Sequence, residues 1–257
     1  MKMMTQIEKA NILKSLHIKG DPLTLFNIWD AGSAKAMQEI GAKVIATGSW
    51  SVAASHGYDD GEKLSFNLVL ENLKRIVASV TIPVTIDLEG GYGRNPHDLH
   101  ETITKIIEAG AVGINFEDQI IGGAGLYSIE EQCARIKAIR EASELSSIPL
   151  FINARTDIFL KANSTENNEN CLAQAIQRAS AYAASGASGF FVPGLIDAKH
   201  IQKLCQSSSI PINVMLTSES PTPKQLAELG VARISYGPHP YSLAIDALKE
   251  AGRIALL

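Results

Sequence analysis

Eight short β-rich runs, each followed by a stretch with helical spacing, constrain this chain more than any other feature. The runs are 24–30 (TLFNIWD), 43–49 (KVIATGS), 83–89 (PVTIDLE), 113–118 (GINFED), 149–157 (PLFINARTD), 189–195 (GFFVPGL), 211–216 (PINVML) and 232–237 (ARISYG). Most are nearly continuous apolar segments, the pattern of parallel strands covered on both faces. Between them, 64–79 carries Leu68, Leu70, Leu73, Ile76 and Val77 at helical spacing, and 97–109 follows Pro96, a helix-start signal. Ser128 opens S-I-E-E, a capping-box signature for a helix to about 143. Strand–helix alternation builds right-handed βαβ units and a parallel sheet. Eight strands, with no G-x-G-x-x-G after the first, predict a closed (β/α)8 TIM barrel in place of a doubly wound sheet. An amphipathic N-terminal helix is expected at about 5–17, and 163–170 (NSTENNEN) reads as a surface loop opening the next helix. The 257 residues suit one barrel domain spanning 1–257.

Composition narrows the function classes. The net charge is −4 and the Lys and Arg residues are scattered, so no basic field exists for nucleic acid or an anionic membrane. No apolar run approaches the roughly 20 residues of a membrane span. The first residues lack the apolar core of a signal peptide. Three cysteines, Cys133, Cys171 and Cys205, have no metal-type spacing and are too few and odd for a disulfide framework. They read as structural residues of a cytoplasmic protein.

The C-terminal ends of the strands, where barrels of this kind carry their active sites, are unusually polar. Asp87 and Glu89 lie two apart and share a strand face. Glu117 ends the next strand, about 5 Å away laterally. Carboxylates crowded in this way call for a hard divalent cation, and Mg2+ accepts few carboxylates plus waters and substrate oxygens. Arg155, on the adjoining run, then faces an anionic substrate or developing negative charge. The alternative is a ring of structural ion pairs around Arg155. Asp118 and Asp157 are expected to cap the following helices. The N–H groups of Gly48 and Ser49 suit a carboxylate or phosphate, or simply a tight turn. Asn213, on the seventh run, is expected on the substrate side. Gly90–Gly93 turns the chain sharply, and the loop 119–127 is a closing lid or a plain surface loop. His239 and His56 are each a general acid–base or a turn residue.

The segments WDAGSA, ATGSWSVAASHGYDDG, DLEGGYG, NFED, NARTD, FFVPG, NVM and LGVARISYGP, in this order across 27–241, resemble the isocitrate lyase/phosphoenolpyruvate mutase superfamily, particularly its short members. The resemblance implies that Asp87 is a direct ligand of Mg2+ (Mn2+ being the alternative), with Glu89, Glu117 and Asp60 holding the ion through waters. Glu89 stands where the superfamily usually has aspartate. Asp60 enters through the resemblance alone. Thr47, Gly48 and Ser49 correspond to a substrate-carboxylate loop, and Arg155 to an arginine on the substrate's oxygens. A homo-oligomer is implied, a dimer or a tetramer built from dimers, often with the eighth helix exchanged between subunits. One departure narrows the chemistry. The loop 119–127 (QIIGGAGLY) contains neither the K-[KR]-C-G-H motif of the lyases nor the Lys and Asn of the mutase lid. The expectation is therefore a Mg2+-dependent lyase that cleaves or decarboxylates a small 2-oxo or 2-hydroxy (di)carboxylic acid through an enolate, with Arg155 and Asp60 at the reacting centre. Phosphorus–carbon bond chemistry and a non-catalytic carboxylate-binding barrel are the alternatives.

Overall fold

Strands buried on both faces must pair side by side and be covered by helices. In the computed structural model, which describes residues 4–162 and 169–256, the apolar runs do so. The strands are β1 (Leu23–Leu25), β2 (Ile45–Ala46), β3 (Val84–Asp87), β4 (Gly113–Glu117), β5 (Phe151–Arg155), β6 (Gly189–Val192), β7 (Ile212–Met215) and β8 (Arg233–Ser235). All neighbours are parallel, in the order β1-β8-β7-β6-β5-β4-β3-β2. Residues just past β1 and β2 complete the ring. Ile28 N–H donates to Ala46 O at 2.8 Å, and Gly48 N–H donates to Ile28 O at 3.1 Å. The chain is a (β/α)8 TIM barrel.

The helices are α1 (Gln6–Ser15), α2 (Ala31–Glu39), α3 (Ser49–Ser55), α4 (Phe66–Ser79), α5 (Pro96–Glu108), α6 (Ile129–Leu145), α7 (Ile158–Lys161), α8 (Glu169–Ala184), α9 (Ala198–Ser207), α10 (Pro223–Glu228) and α11 (His239–Leu256). None of the described helices is long and apolar enough to cross a membrane. Ser128 and Glu131 form the expected capping box of α6, and Asn95 caps α5 with Pro96 in its first turn. Of the expected loop 163–170, residues 163–168 lie outside those described, and the last two begin α8. Each strand is shorter than its apolar run. The difference is largest at 43–49, where only Ile45–Ala46 pairs as a strand and Ser49 already opens α3.

Strand alternation divides the core into two parts. Ile86, Ile114, Ile152, Phe190, Val214 and Ile234 pack outward against helical residues such as Leu73, Ile103, Ile136 and Leu172. Below the mouth, the interior is polar. Arg233 on β8 reaches across to Asn115 on β4, and Asn153 on β5 joins them. The opposite end is sealed by α1, whose Leu13 stands where any side chain on Gly113 would lie, 2.6 Å from an ideal Cβ. The helix is less amphipathic than expected, because it buries only Ala10 and Leu13 and leaves Ile7 exposed.

His17 follows α1 and stacks on Phe151 with ring centroids 3.9 Å apart. Its Nδ1 lies 2.8 Å from Leu13 O, and its Nε2 is buried without a partner. Burial, then the charge of Arg233, pull its pKa down to about 3 against that hydrogen bond. The unfolded chain therefore binds more protons than the folded one between about 3 and the ordinary 6.5. The stabilisation is fully present above that window and is lost as pH falls through it, by about 2 kcal/mol at pH 5. His17→Phe, which keeps the stack, is expected to flatten the acid limb of stability against pH by about that amount. Urea melts between about pH 5 and pH 8 check it, and an unchanged limb would refute it.

Candidate active site

A cavity of about 170 Å3 opens at the C-terminal ends of the strands, walled by Gly48, Ser49, Trp50, Asp60, Asp87, Asn115, Arg155, Phe191, Met215, Ser235 and Pro238, among others. Asp87 ends β3. Its backbone N–H donates to Thr47 Oγ1 at 2.9 Å. Its Oδ2 accepts from the N–H and hydroxyl of Ser49 at 3.3 and 3.2 Å. Its Oδ1 is buried with no hydrogen-bond partner among the described residues.

Glu89 has a left-handed backbone, φ +50°, a conformation that costs a non-glycine residue energy and needs support. The support comes from its own carboxylate. Oε2 accepts from Gly61 N–H at 2.7 Å and Glu62 N–H at 2.8 Å, and Tyr92 OH donates to Oε1 at 3.3 Å. Glu89 thereby pins the turn that carries Asp60 to the cavity rim. The next turn needs glycine: at Gly91, φ +91°, an added Cβ would lie 2.5 Å from Leu99 Cδ2.

Arg155 ends β5. Asp157 takes its guanidinium side-on, at 2.5 Å from Nε and 2.9 Å from Nη2, while Glu117 Oε2 pairs with Nη1 at 3.0 Å. Burial pulls its pKa down, but Glu117, Asp157 and Asp87 outweigh it and the guanidinium is held charged. Burial pushes Glu117 up; Arg155 opposes, and Asp157, Asp87 and Glu89 add to the rise. Glu89 is pushed up to about 7 by burial and then by Asp60. Asp60 is raised by the protein crowding out its water and then by Asp87, although solvent reaches it from the mouth. Arg233 is pulled down to about 9 by burial, with Asp87 partly opposing. Asp60, Asp87, Glu89, Glu117 and Asp157 thus crowd around two arginines, and the upward push on Asp60, Glu89 and Glu117 marks a place where a cation beside the unpartnered oxygen of Asp87 would offset the crowding.

Among the described residues, no three His, Cys, Asp or Glu side chains stand close enough to ligate one ion directly. Glu89 is turned to the 61–62 backbone and Glu117 to Arg155, so the four expected ligands do not meet as one compact set. The donor chemistry fits an ion that takes one or two carboxylates and otherwise water, which is the habit of Mg2+, and it does not fit a closed all-protein cage.

The other expected residues divide. Gly48 and Ser49 line the cavity, but their backbone N–H groups are already bonded, to Ile28 O and Asp87 Oδ2. Thr47 lies behind the cavity on the Asp87 N–H. Asn213 is buried away from it, hydrogen bonded to Ser235 at 3.2 Å. His239 faces an adjoining cavity of about 570 Å3, and exposed His56 holds Val52 O at 3.0 Å. Neither Asp118 nor Asp157 caps a helix with its side chain. Asp157 is taken by Arg155, while Asp118 accepts from Arg178 Nη1 at 3.0 Å, Tyr182 OH at 2.8 Å and Asp157 N–H at 3.1 Å. These buried partners outcompete a solvent-facing cap.

Sequence reasoning missed several supporting residues. Asn27 Oδ1 accepts from Tyr236 and Gly237 N–H at 3.0 and 2.9 Å, and its Nδ2 donates to Thr47 O at 2.9 Å, tying three strand ends together. Arg135 donates to Gly90 O at 2.5 Å and stacks on Phe116 and Tyr127. The loop 119–127 is a small hairpin, closed by Ile120 N–H to Gly125 O at 3.2 Å and Tyr127 N–H to Asp118 O at 2.8 Å. Asn115 had a signal: it is two residues before Glu117 and therefore on the same strand face.

A (β/α)8 barrel with a walled, charged cavity at these strand ends is the architecture of an enzyme. The chain belongs to the phosphoenolpyruvate phosphomutase family, whose model matches residues 13–256. It is similar to a solved structure from Burkholderia cenocepacia J2315, provisionally named a phosphonomutase, with a TM-score of 0.95 and 47% identity covering 98% of this chain and 100% of that one. An uncharacterized protein of Mycobacterium tuberculosis H37Rv is 32% identical over 238 residues, covering 93% of this chain and 86% of the relative. The 2-methylisocitrate lyase of Escherichia coli K12 is 29% identical over 244 residues, covering 91% of this chain and 78% of the lyase.

Proposed function

We propose that this chain is a Mg2+-dependent lyase that cleaves a carbon–carbon bond, or decarboxylates, in a small 2-oxo or 2-hydroxy dicarboxylic acid such as oxaloacetate or a substituted malate. The buried, unpartnered Oδ1 of Asp87 at the edge of an over-acidic cavity carries this reading. Such an atom calls for an ion or a bound water. Asp87 would hold Mg2+, or Mn2+, directly, with Asp60, Glu89 and Glu117 acting through water. When bound, the cation supplies Lewis-acid positive charge to the oxygens of the 2-oxo acid.

The remaining work falls to the protein. Arg155, kept charged and held side-on by Asp157, favours an anionic substrate and the enolate charge that develops as the bond to C3 breaks. Ser49 orients Asp87 through two hydrogen bonds. Trp50, Phe191, Met215 and Pro238 limit water around the reacting atoms. The cavity is below the roughly 300–1,000 Å3 of sites for drug-sized ligands, in keeping with a small acid. No Cys or His is among its lining residues. Protonation of the enolate by solvent or Asp60 suits decarboxylation better than aldol-type cleavage, which also needs a base.

The likeness to a provisionally named phosphonomutase favours a second reading, cleavage of a phosphorus–carbon bond at the same cavity. Turnover with Mg2+ across oxaloacetate, substituted malates, 2-methylisocitrate and phosphonopyruvate separates them. Pyruvate from oxaloacetate, a substituted malate or 2-methylisocitrate supports the first reading. Turnover of phosphonopyruvate alone would replace it with the second, and metal-independent oxalate binding without any turnover would point to a non-catalytic barrel.

The active form is proposed to be a homo-oligomer, a dimer or tetramer. Of the eighteen residues of α11 only Pro240 is buried, and Leu243, Leu248 and Ile254 are exposed along it. Such a helix needs a partner surface. Sedimentation equilibrium of the intact chain checks the association.

A further inference from the structure

We infer that Asn115 is a substrate-contacting donor and that Arg233 and Asn153 are positioning residues fixing which way its amide points, an assignment that rests on reading the cavity as a substrate site. Asn115 stands in register with Asp87 on one side and Asn153 on the other. It is only 3% exposed, and it lines the cavity. Its Oδ1 accepts from Asn153 Nδ2 at 2.9 Å and from Arg233 Nη2 at 3.0 Å. An amide oxygen has two lone pairs, and both are used. Flipping the amide would set its NH2 against Arg233, which can only donate, so the orientation is fixed. The Asn115 NH2 has no protein partner among the described residues. What meets it must be an acceptor, a carboxylate or carbonyl oxygen lying beside Asp87 and Arg155.

Arg233 makes the arrangement more than incidental. It is 1% exposed in the barrel interior, and among the described residues its Nε and Nη1 have no partners. Burying a guanidinium so sparsely bonded is destabilising, and an apolar side chain of similar volume would fill the space at less cost. Among the described residues, the one side chain to which it donates is Asn115. Its role is therefore to act through Asn115 from beneath, with Asn153 as the second donor on the same oxygen.

Oxalate titrated calorimetrically into the full chain with Mg2+ present, beside the thermal midpoint of each variant, tests this. Asn115→Asp is nearly isosteric, keeps the oxygen that accepts from Arg233 Nη2 and gives the buried guanidinium a counter-charge. Its midpoint is expected to hold or rise while oxalate binds about tenfold or more weakly. Asn115→Ala loses affinity without the added charge and serves if Asn115→Asp does not fold. Arg233→Met is expected to weaken binding, and Arg233→Lys, which keeps a donor, to recover part of it. Wild-type oxalate affinity in both Asn115 variants would overturn the contact. Equal losses in both Arg233 variants would reduce Arg233 to packing. If Asp87→Ala also binds oxalate as the wild type does, or the wild type binds none, it is the reading of the cavity that fails.

Discussion

Asp87→Ala is expected to abolish turnover and the proposed Mg2+-dependent binding of oxalate, with kcat/KM falling by about three orders of magnitude or more, roughly 4 kcal/mol of transition-state stabilisation. The size of the effect follows from position. Asp87 is the carboxylate that combines a wall of the cavity with an unpartnered buried oxygen. Glu89 and Glu117 are each already engaged, with the 61–62 backbone and with Arg155. The same substitution removes one charge from a crowded set, so the metal-free protein is expected to melt no lower than the wild type. Its midpoint is expected not to rise when Mg2+ is added, as that of the wild type should. A scanning melt with and without Mg2+ separates this from misfolding, and near-wild-type turnover in the variant would end the metal reading.

Asp118→Ala costs about 3–5 kcal/mol of folding stability, a large part of what holds a domain together. Asp118 is fully buried and answers three donors, Arg178, Tyr182 and the backbone N–H of Asp157. Its removal leaves the Arg178 guanidinium buried without a counter-charge. It also frees the residue that grips Arg155, so activity falls along with stability. Replacing the pair together, Asp118→Leu with Arg178→Met, is expected to restore much of the stability, because the unpaired charge goes as well. Urea denaturation of the single and double variants measures both. A single variant within about 1 kcal/mol of wild type would show that the pair is no keystone.

Local pattern made the fold legible. Eight apolar runs, the Ser128 capping box and Pro96 carry enough short-range physics to define the barrel. Strand-end carboxylates were legible for the same reason, because Asp87 and Glu117 lie within two residues of the ends of runs whose burial is written in their own sequence. Long-range contacts account for what was not. Asp60 is held at the cavity rim by Glu89, which bonds the N–H groups of Gly61 and Glu62, 28 and 27 residues before it. Asp118 looked like a cap because its partners, Arg178 and Tyr182, lie 60 and 64 residues on. Gly48 and Ser49 looked available because nothing in a T-G-S turn reveals that Ile28 and Asp87 use their N–H groups. Asn213 and Asn115 are equally plausible as polar strand residues, and the cavity wall alone distinguishes them.

In the proposed homo-oligomer, the last helix would make protein concentration a variable of the activity itself. Tyr241, in its first turn, packs edge-on against Trp29 and Trp50, and Trp50 is a wall of the cavity. A helix that leans on a second copy loosens as the protein is diluted, by simple mass action, and the loosening reaches that wall. Rates measured with nanomolar enzyme would then describe a different species from the one that predominates in a crowded cell.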